Sequence, residues 1–354
     1  METKGLLFIP DISGFTRFVT ESEINHSRII IQELLELLIN ANQIGLEVSE
    51  IEGDAILFYK FGEPPALNEL YKQVEKMFCL FHKNIMAYDR RKYCQCKACT
   101  STASLSLKVI THYGEFTEYH VKNFSKLIGK DVIVAHQLLK NDIAQHEYWL
   151  VTKDLLHDHP LADFTTWMNW NDSVKQTESG EIYFHYTQLS QLKNEIQDEP
   201  LPRLNLASKR KIHSASKIYE TDIITLFHAA GAFEYRHLWL EGVEKVEEIN
   251  HALPRVGMQS LWTLNNGKML YYSSSYSYSD DKIEFSEMDE KGDQVTYFTL
   301  VKVADNRTKL TIDVYKTRNW FIDFILGQSV QKKLESTLQK SLENIVPLLK
   351  EISL

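Results

Sequence analysis

The sequence predicts a two-domain α+β protein, and three observations predict it. Strand and helix signals alternate through the first half. A charged stretch without sustained period, carrying Pro200 and Pro202, interrupts the chain near its middle. A run of strands with turn signals between them then leads into one long terminal helix. At 354 residues, about two domains are expected at roughly 100–200 residues each. The boundaries read as residues 1–190, a linker over 191–211, and a second domain over 212–354.

The first domain opens with the apolar strand Leu6–Ile9 and the loop Asp11-Ile12-Ser13-Gly14-Phe15. A helix is expected from about Glu21 to Asn42, with Thr20 and Glu23 at capping-box spacing. Ile30, Leu34 and Leu38 recur every four residues, and Gly45 can end it. Leu46–Ile51 and Ala55–Tyr59 read as strands joined by a tight turn at Glu52-Gly53-Asp54. Leu67–Tyr88 reads as a helix, Leu105–His112 as a strand and Val132–Leu139 as a short helix. In the second domain, Lys268–Tyr278, Lys282–Met288, Gln294–Val303 and Thr308–Lys316 are expected strands. The closing helix, from about Phe321 to Ile352, carries the stripe Val330, Leu334, Leu338, Leu342, Ile345 and Leu349. Pro347 is expected to kink its last turns. A sheet curling around this helix is the implied architecture.

Composition excludes several classes. Hydrophobic residues are 44% and charged residues 25%, ordinary globular values that rule out a disordered tail or a rod. Lys plus Arg number 39 against 48 Asp plus Glu, a formal charge of −9, so the basic footprint needed for nucleic acid is missing. The N-terminus shows no long apolar region with a cleavage site, and no run reaches the ~18 apolar residues of a membrane span. A cytoplasmic protein with no transmembrane segment is expected. Four cysteines are too few for a disulfide framework in this length.

Asp11 and Asp54 are the first candidate site. One ends a strand and the other sits in a tight turn, so neighbouring strands would bring both carboxylates to one spot. Mg²⁺ or Mn²⁺ takes oxygen ligands, usually one or two carboxylates plus substrate phosphates. The backbone N–H groups of Ser13, Gly14 and Phe15 could cradle those phosphates. The alternative is a pair of solvated, turn-forming aspartates.

Four segments resemble motifs of the class III adenylate and guanylate cyclases, in the order they have there. They are Phe8-Ile9-Pro10-Asp11-Ile12-Ser13-Gly14-Phe15-Thr16, Ile51 to Phe58 around Gly53-Asp54, Lys108 to Glu115, and Gly129 to Leu138. The resemblance spans about Gly5 to Leu139. It implies a ferredoxin-like core, a site formed between two such domains and hence a homodimer, and a nucleoside triphosphate as partner. It also implies Asp11 and Asp54 as metal ligands, with the Ile12 carbonyl as a further one. Four positions depart from the pattern. Ile133 replaces an asparagine and Gln137 the arginine that steadies transition-state charge; Lys126 and Glu50 replace the acidic-or-threonine and lysine pair that selects the purine. Loss of one preorganised electrostatic group costs about 10²–10³ in rate. The expectation is a metal-dependent nucleotide-binding domain that is degenerate as a cyclase, the alternative an active, atypical cyclase.

Cys94, Cys96 and Cys99 lie within six residues, with spacing that suits Zn²⁺. His112 is the expected fourth ligand, with His82 or Cys79 as substitutes; the alternative is a loop of reduced thiols. In the second half, Trp239 to Val243, Arg255 to Met258, Ile283 to Glu287 and the terminal helix resemble the START-like (SRPBCC, polyketide-cyclase-like) superfamily. That resemblance implies a helix-grip fold around a small apolar ligand or lipid. Tyr272, Tyr276 and Tyr278 have the period-2 spacing to line one side of such a pocket, although a packed or exposed row has the same spacing. A sensor joining the two domains is the leading reading. A non-enzymatic ligand-binding or scaffold protein is the third alternative.

Overall fold

The computed structural model describes residues 4–22, 24–156, 167–177, 180–197, 204–249, 255–317 and 328–352. Two compact units result: Met1–Arg90 with Gln95–Glu199, and Arg91–Cys94 with Pro200–Leu354. The predicted linker therefore contributes to both. Ser190–Glu195 forms a 3₁₀ turn that buries Leu192, and Lys209 already begins a strand. Glu23, Pro200, Pro202, Phe321 and the side chain of Val330 lie outside the described residues.

The first unit is a seven-stranded sheet. Its strands are β1 (Lys4–Ser13), β2 (Glu47–Glu52), β3 (Ala55–Phe61), β4 (Ser106–Glu115), β7 (Tyr148–Thr152), β8 (Trp170–Thr177) and β9 (Gly180–Gln188). Among the described residues their order is β2-β3-β1-β4-β7-β9-β8, with only β4 and β7 parallel. β5 (Thr117–Val121) and β6 (Phe124–Ile128) form a separate hairpin. β1 is central and buried on both faces, which is why Leu6-Leu7-Phe8-Ile9 is continuously apolar rather than alternating. Leu7 and Ile9 pack with Val132, Ala135 and Leu138 of α5 (Lys130–Leu139), in a cluster that also holds Tyr148 and Leu150. On the other face Trp149 stacks on Tyr71 of α3 (Leu67–Arg91), whose buried positions Leu70, Val74, Met77, Phe81, Ile85 and Tyr88 keep helical spacing.

The single helix expected after β1 is two, α1 (Phe15–Glu21) and α2 (Ile24–Asn40). Thr20 lies inside α1, where its hydroxyl donates to the Thr16 carbonyl at 2.7 Å, so it is no cap. A short helix, α4 (Lys97–Ser101), precedes β4, and another, α6 (Lys153–Leu156), follows β7.

The second unit is a seven-stranded antiparallel sheet. It comprises β10 (Lys209–Tyr219), β11 (Val243–Glu248), β12 (Gln259–Leu264), β13 (Gly267–Ser279), β14 (Lys282–Asp289), β15 (Gln294–Ala304) and β16 (Arg307–Thr317). The order is β10-β16-β15-β14-β13-β12-β11. Helices α7 (Ile223–Gly231) and α8 (Arg236–Trp239) follow β10, and α9 (Gln328–Glu351) runs through Pro347. Leu338, Leu342 and Ile345 of α9 share a buried cluster with Phe285, Phe298 and Ile312 of the sheet. This is the expected helical stripe, with Leu348 joining it.

Asp222 caps α7, its carboxylate accepting the N–H groups of Ile224 and Thr225 at 2.9 Å each. Burial alone would raise its pKa, but these bonds and the Thr225 hydroxyl hold it below the usual value. Asp222→Ala is expected to cost about 1 kcal/mol. Urea unfolding checks it: the midpoint of the transition that includes α7 should fall with its slope unchanged.

Candidate functional site

Asp11 lies within β1, opposite Ala55 on β3 and Lys108 on β4. Asp54 follows Gly53 in the β2–β3 turn, where Gly53 takes the left-handed φ of 62° that a tight turn requires. The Ile12 N–H donates to the Asp54 carbonyl at 3.0 Å and ties this turn to β1. The two predicted carboxylates are thus brought together, each feeling the other's surroundings. Burial, with the Asp54 charge adding to it, pushes the Asp11 pKa up to about 6 despite the opposing pull of Lys108. Burial likewise raises Asp54, against the lowering by its backbone hydrogen bond and by Lys108.

Lys108 was not among the expected site residues. Its ammonium lies 3.4 Å from Asp11 Oδ1 and donates to the Leu139 carbonyl at 3.1 Å. Only about a tenth of either side chain in the Lys108–Asp11 pair is exposed. Two desolvated carboxylates with raised pKa values suit a hard dication, which binds oxygen and restores the charged form. Lys108 supplies one positive charge to the same oxygens and is the group a dication would compete with.

Gly14 takes a φ of 90° and starts α1, so the first-turn amides of that helix, Phe15 among them, have no acceptor within it. Ser13 is still a strand residue paired with Ser106, and its hydroxyl donates to the His146 carbonyl at 3.1 Å. Phe15 lies beside the turn: its ring is 3.6 Å from where a Cβ on Gly53 would stand. Across β2 and β6, Glu50 and Lys126 form an ion pair with each other. The two residues that depart from the cyclase pattern there therefore compensate one another's charge. Ile133 is 56% exposed on α5 and offers no hydrogen-bonding group, while the buried Gln137 Oε1 meets no partner among the described residues.

His112 is not beside the cysteines as expected. Both its ring nitrogens face other partners, Thr152 Oγ1 at 2.8 Å and Asp131 Oδ1 at 3.1 Å. Burial would raise Asp131, but the bonds from His112 and the Glu115 N–H lower it. His82 is buried beside Phe78, and burial drops its pKa to about 4. Burial, with Glu75 and Glu195 nearby, pushes the Cys79 thiol up to about 11. The histidine that joins Cys94, Cys96 and Cys99 is His26 of α2.

The tyrosine row is broken. A bulge between Ser273 and Ser275 shifts the register, so Tyr276 pairs with Phe285 and Tyr272 with Met288. Phe285 and Met288 are an odd number of residues apart on a regular strand, so Tyr272 faces away from Tyr276. Tyr276 stacks on Tyr93 at 4.7 Å, and Tyr278 is 38% exposed. At the centre of this unit, sequence reasoning missed a buried ion pair. Arg236 Nη2 lies 2.5 Å from Glu287 Oε1, with the rings of Trp239, Trp262, Phe285 and Phe298 within 6 Å of the guanidinium. Arg236 Nε and Nη1 meet no acceptor among the described residues.

Residues 31–148 match DUF2652, a family described as a protein of unknown function. The chain is 31% identical over 129 residues to the uncharacterized protein Rv2561/Rv2562 of Mycobacterium tuberculosis (strain ATCC 25618 / H37Rv), covering 34% of this chain. It spans 56% of the length of that relative. Among solved structures, the chain is similar to the catalytic core of a rhodopsin-guanylyl cyclase in complex with ATPalphaS (14% identity, TM-score 0.38, 53% of this chain and 96% of that one). It is similar to a bacterial light-regulated adenylyl cyclase (14%, 0.38, 55% and 98%). It is also similar to the adenylyl cyclase CyaB of P. aeruginosa (15%, 0.35, 53% and 95%). No helix among the described residues is long and apolar enough to cross a membrane.

Proposed function

We propose that the first unit binds a nucleoside triphosphate together with Mg²⁺ or Mn²⁺ at Asp11 and Asp54, and that it does so without efficient cyclase turnover. The observation that carries this reading is the convergence of two carboxylates of raised pKa, the buried Asp11 of β1 and the half-buried Asp54 of the β2–β3 turn. A bound dication there would neutralise phosphate charge and polarise a phosphoryl oxygen. Asp11 and Asp54 would hold it, and the Ile12 carbonyl is the further ligand that the cyclase resemblance implies. The amides of Gly14 and Phe15 would orient the phosphates. Ser13, engaged in the sheet and with His146, would fix that loop rather than donate from its hydroxyl. Ile133 and Gln137 leave transition-state charge without its usual arginine, which supports binding over turnover.

The unit would pair with a second copy. Val19, Ile24 and Ile51 are exposed around a groove of about 420 Å³ that Phe15 also lines, so the apolar surface continues directly from the candidate site. The second unit is read as a helix-grip domain of START type, supported by its continuous antiparallel order closed by α9. Its ligand would be a small apolar molecule or a lipid, the class that the START-like resemblance implies.

The test is thermal denaturation with Mn²⁺ and ATP, GTP, CTP or UTP, followed by mass spectrometry of the mixture. One nucleotide with Mn²⁺ should raise Tm, by about 2–4 °C per kcal/mol of binding free energy, and yield little cyclic product. Asp11→Ala with Asp54→Ala should abolish the shift. An unchanged melting curve at millimolar nucleotide would sink the reading. Ready formation of a cyclic monophosphate, lost in Asp54→Ala, would replace it by an active cyclase.

A further inference from the structure

The ligand atoms of His26, Cys94, Cys96 and Cys99 all lie within 4.8 Å of one another. Cys94, Cys96 and Cys99 come from one short stretch of chain that ends in α4, and His26 from the neighbouring helix α2. His26 Nδ1 is 3.2 Å from Cys96 Sγ and 3.4 Å from Cys99 Sγ. One ring nitrogen has a single lone pair, so it can accept from only one of those thiols, yet both sulfurs crowd it. Ligands sharing one tetrahedral ion have this spacing. Bonds of about 2.0 Å to nitrogen and 2.3 Å to sulfur give N···S edges of about 3.5 Å.

The surroundings suit a thiolate centre. Cys94 and Cys99 are buried, Cys96 and His26 half-buried, so the group is shielded but reachable. The buried Tyr88 hydroxyl donates to Cys99 Sγ at 3.0 Å, the outer contact that steadies a coordinating sulfur. None of these cysteines is in a disulfide. We propose that His26, Cys94, Cys96 and Cys99 form a closed, structural zinc site. Soft thiolates with one imidazole favour Zn²⁺ over the hard ions expected at Asp11 and Asp54, so the two sites are chemically separate. The site has no open position for substrate.

Elemental analysis of the full chain, purified without chelator or histidine tag, should find about one zinc per chain. Cobalt exchanged into the wild-type protein should give intense visible bands of a tetrahedral centre and thiolate-to-cobalt absorption in the near ultraviolet. That absorption should drop by about a third in Cys96→Ser, as three thiolates become two. His26→Ala should alter the visible bands and weaken zinc retention, and Tyr88→Phe should weaken it about tenfold. Wild-type protein that holds no zinc and stays colourless with cobalt would overturn the site without recourse to any variant. So would iron or copper in place of zinc. An unchanged cobalt spectrum in His26→Ala would overturn the four-ligand assignment.

Discussion

Glu287→Ala is expected to destabilise the second unit by about 3–5 kcal/mol, the cost of leaving a buried charge without its partner. Arg236 cannot lose its proton to escape that cost. Its guanidinium is fully buried among aromatic rings, and Glu287 is the one carboxylate it meets among the described residues. The converse variant, Arg236→Met, should behave differently. Burial already raises the Glu287 pKa, with Arg236 opposing it, so without Arg236 the carboxyl can take up a proton. A group whose folded pKa lies above its unfolded value contributes stability below the unfolded value and loses it as pH rises. Relative to wild type, Arg236→Met should therefore recover as pH falls from 7.5 towards 5, by up to about 1.4 kcal/mol per pH unit, whereas Glu287→Ala should not. Urea unfolding at several pH values reads both. A loss below about 1 kcal/mol in Glu287→Ala would show that the arginine finds other partners.

Asp11→Asn should stabilise the metal-free protein at pH 7.5, by about 1–3 kcal/mol, while removing its affinity for Mn²⁺. The Asp11 pKa of about 6 means that ionisation of this side chain opposes folding at neutral pH. Its contribution is most favourable below its unfolded value of 3.8 and is lost as pH rises through about 6. The advantage of the asparagine should accordingly grow between those limits and level off above them. Lys108 keeps its bond to the Leu139 carbonyl and the nearby Asp54 charge, so it is not stranded by the change. Protons compete with the cation for Asp11, so wild-type affinity for Mn²⁺ should rise with pH through about 6 and then flatten. Denaturation with chelator and with Mn²⁺, at pH 5 and 7.5, reads both effects. An asparagine variant less stable than wild type at pH 7.5 would contradict this account of the carboxylate.

Features written in short-range pattern were legible from the residues. The apolar run at Leu6–Ile9, the Gly53-Asp54 turn, the helical stripe of α9 and the cysteine cluster each depend on neighbours within a few positions. Features set by pairing across the sheet were not. Lys108 sits between Leu107 and Val109, where alternation reads it as a solvated strand residue, and only its register with Asp11 reveals its place. His26 reaches cysteines 70 and 73 residues away, and nothing beside it on α2 marks it. The bulge at Ser273–Ser275 lies within a run of three serines, where no change of residue type announces a shifted face. Arg236 and Glu287 are 51 residues apart, one on a short helix and one on a strand, and each taken alone reads as a surface charge. The edge strand β8 was missed because its largely exposed residues, among them Asn171, Asp172 and Lys175, resemble a loop.

The most direct test of the central claim is the electron paramagnetic resonance signal of free Mn²⁺, titrated with protein in the presence of the nucleotide that gives the largest thermal shift. The signal should fall as wild-type protein is added. It should not fall with the Asp11→Asn, Asp54→Asn double variant, which keeps the fold, Lys108 and the Gly14 loop. Equal depletion by both proteins would place the cation elsewhere, and depletion by neither would remove metal-dependent nucleotide binding from this protein.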